Sequence, residues 1–363
     1  MENPIRDVLK LAVENKASDI HIKTASPVTL RMSGNLVESD FVTDEKCLSQ
    51  ILSCMLSEEQ RKKYNIAGDV DLSYVEPEVG RFRVNIHKQR GSATLAMRHV
   101  KSQILDFKSL GLPPQIQKLT TLERGIVFIT GTTGSGKSTT LASVIDYINQ
   151  TRKMHIITIE DPIEFEFKDK ESFIEQREVG LDTISFDSAF IHSLRQDPDI
   201  IIVGEMRSKD SFDAALKAAD TGHLVFSTLH TRNAAQSINR LLDFYQSSEH
   251  SAIRQALAAS LAGIVSQRLL TNAKGDGIVP AVEILYNSPI IQSLLRENKL
   301  DKLNAAIEGS REEGMLSFNQ CLVDLVNRGL VTEDEAFAAS DNAESLKMNL
   351  KGVFLGVENK ILG

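Results

Sequence analysis

The chain has no tryptophan, few tyrosines, only three cysteines and no surplus of positive charge. Each shortage excludes something. With aromatic residues at 6% of 363, few side chains are available as stacking platforms for bases. Lys and Arg number 41 against 49 Asp and Glu, a net charge of −8. That argues against the basic footprint of a nucleic-acid motor, although a local basic channel can sit inside an acidic total. Cys47, Cys54 and Cys321 form no C-x-x-C pair, so neither a zinc site nor a disulfide framework is indicated, and they read as small core residues. No apolar stretch approaches the length of a membrane span, and the opening Met-Glu-Asn-Pro carries no signal-peptide pattern. The expectation is a cytoplasmic chain, at most peripheral to a membrane. Internal repeats and low-complexity segments are also missing. What is present is a length that suggests two or three domains, with 42% hydrophobic residues to fill their cores.

One stretch organises the rest. Gly131-Thr132-Thr133-Gly134-Ser135-Gly136-Lys137-Ser138 is the phosphate-loop pattern G-x-x-x-x-G-K-[ST]. Ahead of it, Gly125 to Thr130 is a short apolar run that reads as a buried parallel strand. Behind it, from Thr139, Leu141, Val144, Ile145 and Ile148 recur at helical spacing. The glycines permit a close approach of backbone amides to an anion, and the following helix adds the positive end of its dipole. Lys137 can reach the β- and γ-phosphates, and Ser138 can ligate Mg²⁺. The loop therefore predicts binding of a nucleoside triphosphate with Mg²⁺.

Before the loop, the pattern predicts a helix over 4–15, a strand carrying Ile20 and Ile22 on one face, a hairpin turning at Ser33-Gly34-Asn35, and helices near 44–56 and 57–66. Ser57 and Gln60 form a capping-box pair for the latter. Residues 70–75 and 80–89 return to strand. In the second, Phe82, Val84 and Ile86 alternate with Arg81, Arg83, Asn85 and His87, and Arg98 lies on the strand after the next turn. Spacing alone favours a solvated polar face. The other reading is a set of arginines meeting a nucleotide's phosphates. A linker near 101–111 separates this α+β part from an α/β part.

After the loop, the strand 155–160 ends in Glu160-Asp161-Pro162-Ile163-Glu164, placing acids at a strand's carboxyl end, where α/β sheets bind ligands. A third strand runs from 197 to Glu205, with Gly204 where phosphate-loop enzymes ordinarily carry Asp; Glu205 is the nearest acid and the candidate for an indirect Mg²⁺ contact. A fourth strand, 221–231, is bracketed by His223 and His230, both candidates for the nucleotide site because imidazole can donate to phosphate. From 251 to 270 the apolar residues fall at helical spacing and predict one long helix. A short strand at 280–285 and helices near 289–297, 301–308, 317–328 and 332–339 follow.

Taken together, Ala17-Ser-Asp-Ile-His-Ile, Gly80-Arg-Phe-Arg-Val-Asn, Gly131 to Ser138, Ile159-Glu-Asp-Pro-Ile-Glu, Gln176-Arg-Glu-Val-Gly, Gly204-Glu-Met-Arg and Gly222-His-Leu-Val-Phe-Ser-Thr-Leu-His stand in the order of one family. The chain resembles the hexameric secretion-superfamily ATPases, and within them the pilus-retraction ATPases of the PilT/PilU type. That resemblance implies an N-terminal PAS-like α+β domain over 1–105 and a RecA-like ATPase domain with a helical end over 106–363. It implies a homohexameric ring with nucleotide between the two domains, ATP and Mg²⁺ as cofactors, and no nucleic acid. It implies type IV pilus retraction, an inner-membrane platform protein as partner at the cytoplasmic face, and in some systems a paralogous retraction ATPase. By the same resemblance Arg81, Arg83 and Arg98 approach the nucleotide, His230 belongs to the histidine box, and Lys137 with Gly131 to Thr139 holds the phosphates. Glu164 and Glu205 are both candidates for the general base, and the sequence leaves that choice open. Assembly ATPases usually add an N-terminal domain and a four-cysteine zinc insertion, which this sequence lacks. Gln292, where the retraction family usually has arginine, and the extended stretch past Asp341 keep the accessory paralogue as the alternative. A nucleotide-gated scaffold and a nucleic-acid translocase are the rival function classes.

Overall fold

The computed structural model describes residues 4–32, 34–100 and 103–352. Ser33 of the expected turn and Lys101 and Ser102 of the expected linker lie outside them. Packing divides the chain into two compact units: Met1–Gln103 with Pro162–Glu166, and Ile104–Asp161 with Phe167–Gly363.

The first unit is an antiparallel sheet with helices. Its elements are α1 (Arg6–Glu14), β1 (Asp19–Lys23), β2 (Ser26–Met32), β3 (Asn35–Thr43), α2 (Glu45–Met55), α3 (Glu58–Ala67), β4 (Asp69–Glu76), β5 (Gly80–Gln89) and β6 (Ser92–His99). Among the described residues six strands pair in the order β3-β2-β1-β6-β5-β4. The period-two alternation sends Ile20, Ile22, Phe82, Val84, Ile86, Leu95 and Met97 to a core shared with Val8, Leu9 and Ile51 of the helices. Helix starts follow their caps. Asp44 accepts from the Cys47 amide, and Ser57 and Gln60 complete a reciprocal capping box. The segment 162–166 belongs here as well: Ile163 and Phe165 are buried, and the charge of Glu166 reaches His99, whose ring lies tilted against Phe82 with centroids 5.3 Å apart.

The second unit is an α/β layer built on a largely parallel sheet. In chain order it comprises β7 (Gly125–Thr130), α4 (Lys137–Thr151), β8 (His155–Glu160), β9 (Phe173–Glu178), α5 (Phe186–Ser193), β10 (Ile200–Val203), α6 (Lys209–Asp220), β11 (Leu224–Leu229), α7 (Ala234–Leu242), α8 (His250–Ser260), β12 (Leu261–Thr271), β13 (Ile278–Tyr286), α9 (Pro289–Arg296), α10 (Leu303–Gly309), α11 (Phe318–Asn327), α12 (Glu333–Ala339) and α13 (Ala343–Leu350). The strand order is β13-β12-β7-β11-β10-β8-β9, with β13 alone antiparallel to its neighbour. β7, β10 and β11 are buried along their whole length, so they read as continuous apolar runs rather than alternating ones. The arrangement is the RecA-like phosphate-loop fold.

One expectation fails. The helix expected over 251–270 stops at Ser260, and Leu261, Ile264, Val265 and Leu269 lie on β12 instead. β12 is sandwiched in the sheet between β7 and β13 and is buried on both faces, so its apolar residues show no alternation to contradict a helical count. Gly263 marks the change: the register shifts there, and a Cβ would lie 3.0 Å from the Leu285 carbonyl oxygen.

Candidate active site

Parallel pairing brings the carboxyl ends of four strands into line. Thr130 lies opposite Leu229, Ser227 opposite Val203, and Val203 opposite Ile159. The loops leaving these ends hold the site.

From β7 the chain enters the phosphate loop and then α4. Gly131 has φ 151° and Gly136 φ 85°. A Cβ at Gly131 would sit 2.3 Å from Ser135 Oγ, and one at Gly136 would sit 2.7 Å from Gln267 Nε2. Neither position admits a side chain. Gly136 caps α4 without a side-chain acceptor, so the first amides of the helix remain available to an anion. Thr132, Thr133 and Gly134 are exposed, Ser138 and Thr139 half-buried. Ser135 Oγ is buried with no hydrogen-bond partner. Lys137 is buried and folds over the loop, its Nζ donating to the carbonyls of Gly131 at 2.9 Å and Thr132 at 3.1 Å. A close-packed glycine loop, an unsatisfied hydroxyl and an inward ammonium fit the phosphates of a nucleotide.

Past β10 stands Glu205. Its carboxylate meets Arg207 Nη2 at 2.7 Å and His230 Nε2 at 3.5 Å. Partial burial pushes this carboxyl up, but the hydrogen bond and charge of Arg207, with a smaller contribution from His230, outweigh it and hold Glu205 below the usual carboxylate range. The same contact raises Arg207. Gly204 is crowded: its amide donates to the Ile159 carbonyl at 2.8 Å, Thr228 Oγ1 donates to its carbonyl at 2.7 Å, and a Cβ would lie 3.2 Å from the Ile159 oxygen. The Asp that ordinarily ends this strand has little room here, and the acid is displaced one residue onward.

The two histidines separate. His230 follows the carboxyl end of β11, beside Glu205. His223 precedes its amino end, next to Gly125, with Nδ1 against the Ala218 carbonyl at 3.1 Å and Thr221 Oγ1 at 3.0 Å. Six strand residues, about 20 Å at strand rise, divide them. His223 therefore lies at the opposite end of β11 from the phosphate loop.

In the first unit, Arg81 and Arg83 share one face of β5, and Arg83 is the cross-strand partner of Arg98. Arg98 Nε and Nη2 donate to Asp19 Oδ1 at 2.9 and 2.6 Å. Burial raises the Asp19 carboxyl, but hydrogen bonds from Arg98 and Ser18 and the charge of Arg98 bring it below the usual range. Arg83, Arg98, Asn85, Asp19 and Asp71 line a shallow concavity. Glu164 is exposed between buried Ile163 and Phe165.

The Type II/IV secretion system protein family model matches residues 1–304. The chain belongs to that family. The type IV pilus retraction ATPase PilT of Pseudomonas aeruginosa is 39% identical over 333 residues, covering 92% of this chain and 96% of that one. The PilU ATPase of the same organism is 35% identical over 346 residues, covering 95% and 90%. A crystal structure described as the pilus retraction motor PilT with bound ADP superposes with a TM-score of 0.88 at 43% identity, covering 96% of this chain and 99% of that one. The loop, Glu205 and His230 were each singled out by sequence pattern. Gln267 was not. It lies on β12, the strand whose periodicity misled, and its amide bonds the chain on both sides of Lys137, at Ser135 of the loop and Thr140 of α4.

Proposed function

We propose that the chain is the ATP-hydrolysing subunit of a homohexameric motor that powers type IV pilus retraction, acting from the cytoplasmic face on an inner-membrane platform protein. The observation that carries the reading is the packed phosphate loop with Glu205, paired to Arg207 and His230, beyond the carboxyl end of β10 in the same sheet, in a chain that matches a pilus retraction ATPase along nearly its whole length.

The roles follow the chemistry. Bound ATP supplies the phosphoryl group, and Mg²⁺ neutralises charge as it transfers. Amides of 131–139 and the Lys137 ammonium would hold phosphate oxygens, and the Ser138 hydroxyl would be the protein ligand for Mg²⁺, with Glu205 acting on it indirectly. A carboxylate, Glu164 or Glu205, fixes a water in line and takes its proton. His230 orients Glu205. Arg81, Arg83 and Arg98, from the domain we assign to 1–105, sense the nucleotide held by the domain over 106–363. Among the described residues no helix is long and apolar enough to cross a membrane.

The test is Mg²⁺-dependent phosphate release by Lys137→Ala and Glu205→Ala, both expected to fall at least 100-fold; wild-type rates in both would overturn the assignment. In the host, deletion should leave many surface pili and no twitching, whereas a bald cell would point to assembly. Similarity to PilU, together with Gln292 on α9, supports a second reading, an accessory ATPase. Its mark would be turnover that rises only when the paralogous motor is added.

A further inference from the structure

We propose that Gln267 is a positioning residue for the nucleotide's phosphates: its side-chain amide clamps the phosphate loop onto β12 in the shape that receives them. The inference rests on the reading of the loop as a nucleotide site.

Gln267 is 3% exposed. Its Nε2 donates to the Ser135 carbonyl at 2.8 Å, and its Oε1 accepts from Thr140 Oγ1 at 2.7 Å. One planar amide thus joins the last residues of the loop to the first turn of α4, and Lys137 and Ser138 lie between its two contacts. Both constricted glycines also face this residue: a Cβ at Gly131 would lie 2.5 Å from the Gln267 carbonyl oxygen, and one at Gly136 2.7 Å from its Nε2. The preceding residue adds a second tie, Thr130 Oγ1 donating to Ser266 Oγ at 2.9 Å.

The chemistry demands an amide. The site asks one side chain to donate to a carbonyl and accept from a hydroxyl at once. Glutamate has the same shape but cannot donate when ionised, and it would set a negative charge against the Ser135 carbonyl and beside the phosphates. An apolar residue would leave a buried carbonyl and a buried hydroxyl unpaired. Because the Ser135 carbonyl belongs to the peptide whose other end is the Gly136 amide, fixing that carbonyl fixes the direction of a loop N–H. A clamp of this kind acts on bound nucleotide in ground and transition states alike, so it governs affinity more than turnover.

The test uses the full-length protein and a fluorescent ADP analogue with Mg²⁺. Gln267→Ala should raise Kd about tenfold, and the isosteric Gln267→Glu should raise it further. Thr140→Val should raise it several-fold, while Thr140→Ser, which keeps the hydroxyl, restores wild-type binding. KM for ATP should follow Kd, with kcat within about twofold of wild type. In nucleotide-free protein, amides of 131–140 should exchange hydrogen faster in Gln267→Ala. Should Gln267→Ala fail to fold, the Thr140 pair and Gln267→Glu carry the decision. Gln267→Glu binding like wild type would mean that Gln267 only fills space, and with unchanged exchange at 131–140 it would overturn the clamp. Wild-type protein that binds no nucleotide would instead overturn the reading beneath it.

Discussion

Glu205 shows how one residue's behaviour is set by its neighbours. Burial alone would drive its carboxyl upward; Arg207 and His230 reverse the sign. Removing Arg207 should let burial win. With Arg207→Ala the Glu205 pKa rises, and the acid limb of kcat/KM for ATP moves to higher pH. A pH–rate profile from 5 to 8 checks this, and an unmoved acid limb would show that Arg207 does not tune the working carboxylate. At this scale the sequence was informative where chemistry is carried by rare patterns. Gly131 to Ser138 announces itself, and Glu205 stands out because Gly204 occupies the usual place of Asp. Gln267 was invisible, since a glutamine in an apolar run has no signature until the strand beside it is known. His223 misled for the complementary reason: pattern shows that it brackets a strand, but only strand direction shows which end faces the loop.

Among the elements, alternation marked the strands with one buried face and short apolar runs marked β7, β10 and β11, but the long, doubly buried β12 was misread. β5 alternates plainly, because its other face is polar. β12 does not alternate, and its leucines and isoleucines satisfied a helical count by accident of spacing. β9 and α5 gave too weak a pattern to read, each being short and carrying polar residues among its apolar ones. β13 also holds a buried acid. Glu283 Oε1 accepts the Ala234 amide at the start of α7 at 2.7 Å, and burial drives its carboxyl up to about 7, with Asp341 and Glu308 adding to the rise and the Ala234 amide and Arg268 opposing it. The folded pKa lies above the usual value of 4.5. The native state therefore holds this proton more tightly than the unfolded chain. The resulting stability is fully present below about 4.5 and is lost as pH rises through about 7. Glu283→Gln keeps an acceptor for Ala234 and has no proton to lose. Its melting temperature should gain on wild type between pH 5 and 8, and a gap that stays constant across that range would contradict the account.

At the scale of the whole molecule, a shorter antiparallel unit and a larger, mostly parallel one divide the chain. Motif order along the chain was the legible part, because the phosphate loop, the acids after β8 and β10 and the histidine after β11 each mark the carboxyl end of a strand in the same sheet. What no linear reading could supply is ownership of the segment 162–166, which is encoded between β8 and β9 but packs with the first unit. A gene fragment that stops at the linker therefore does not encode a complete first unit, however natural the cut looks on paper. Residues 1–103 made alone should melt lower, and bind a hydrophobic dye more strongly, than the same residues with 160–167 appended through a glycine linker; equal melting would refute this. The front of this protein is not a cassette that could be lifted out and swapped between relatives by a single crossover, because part of its fold is inherited with its neighbour.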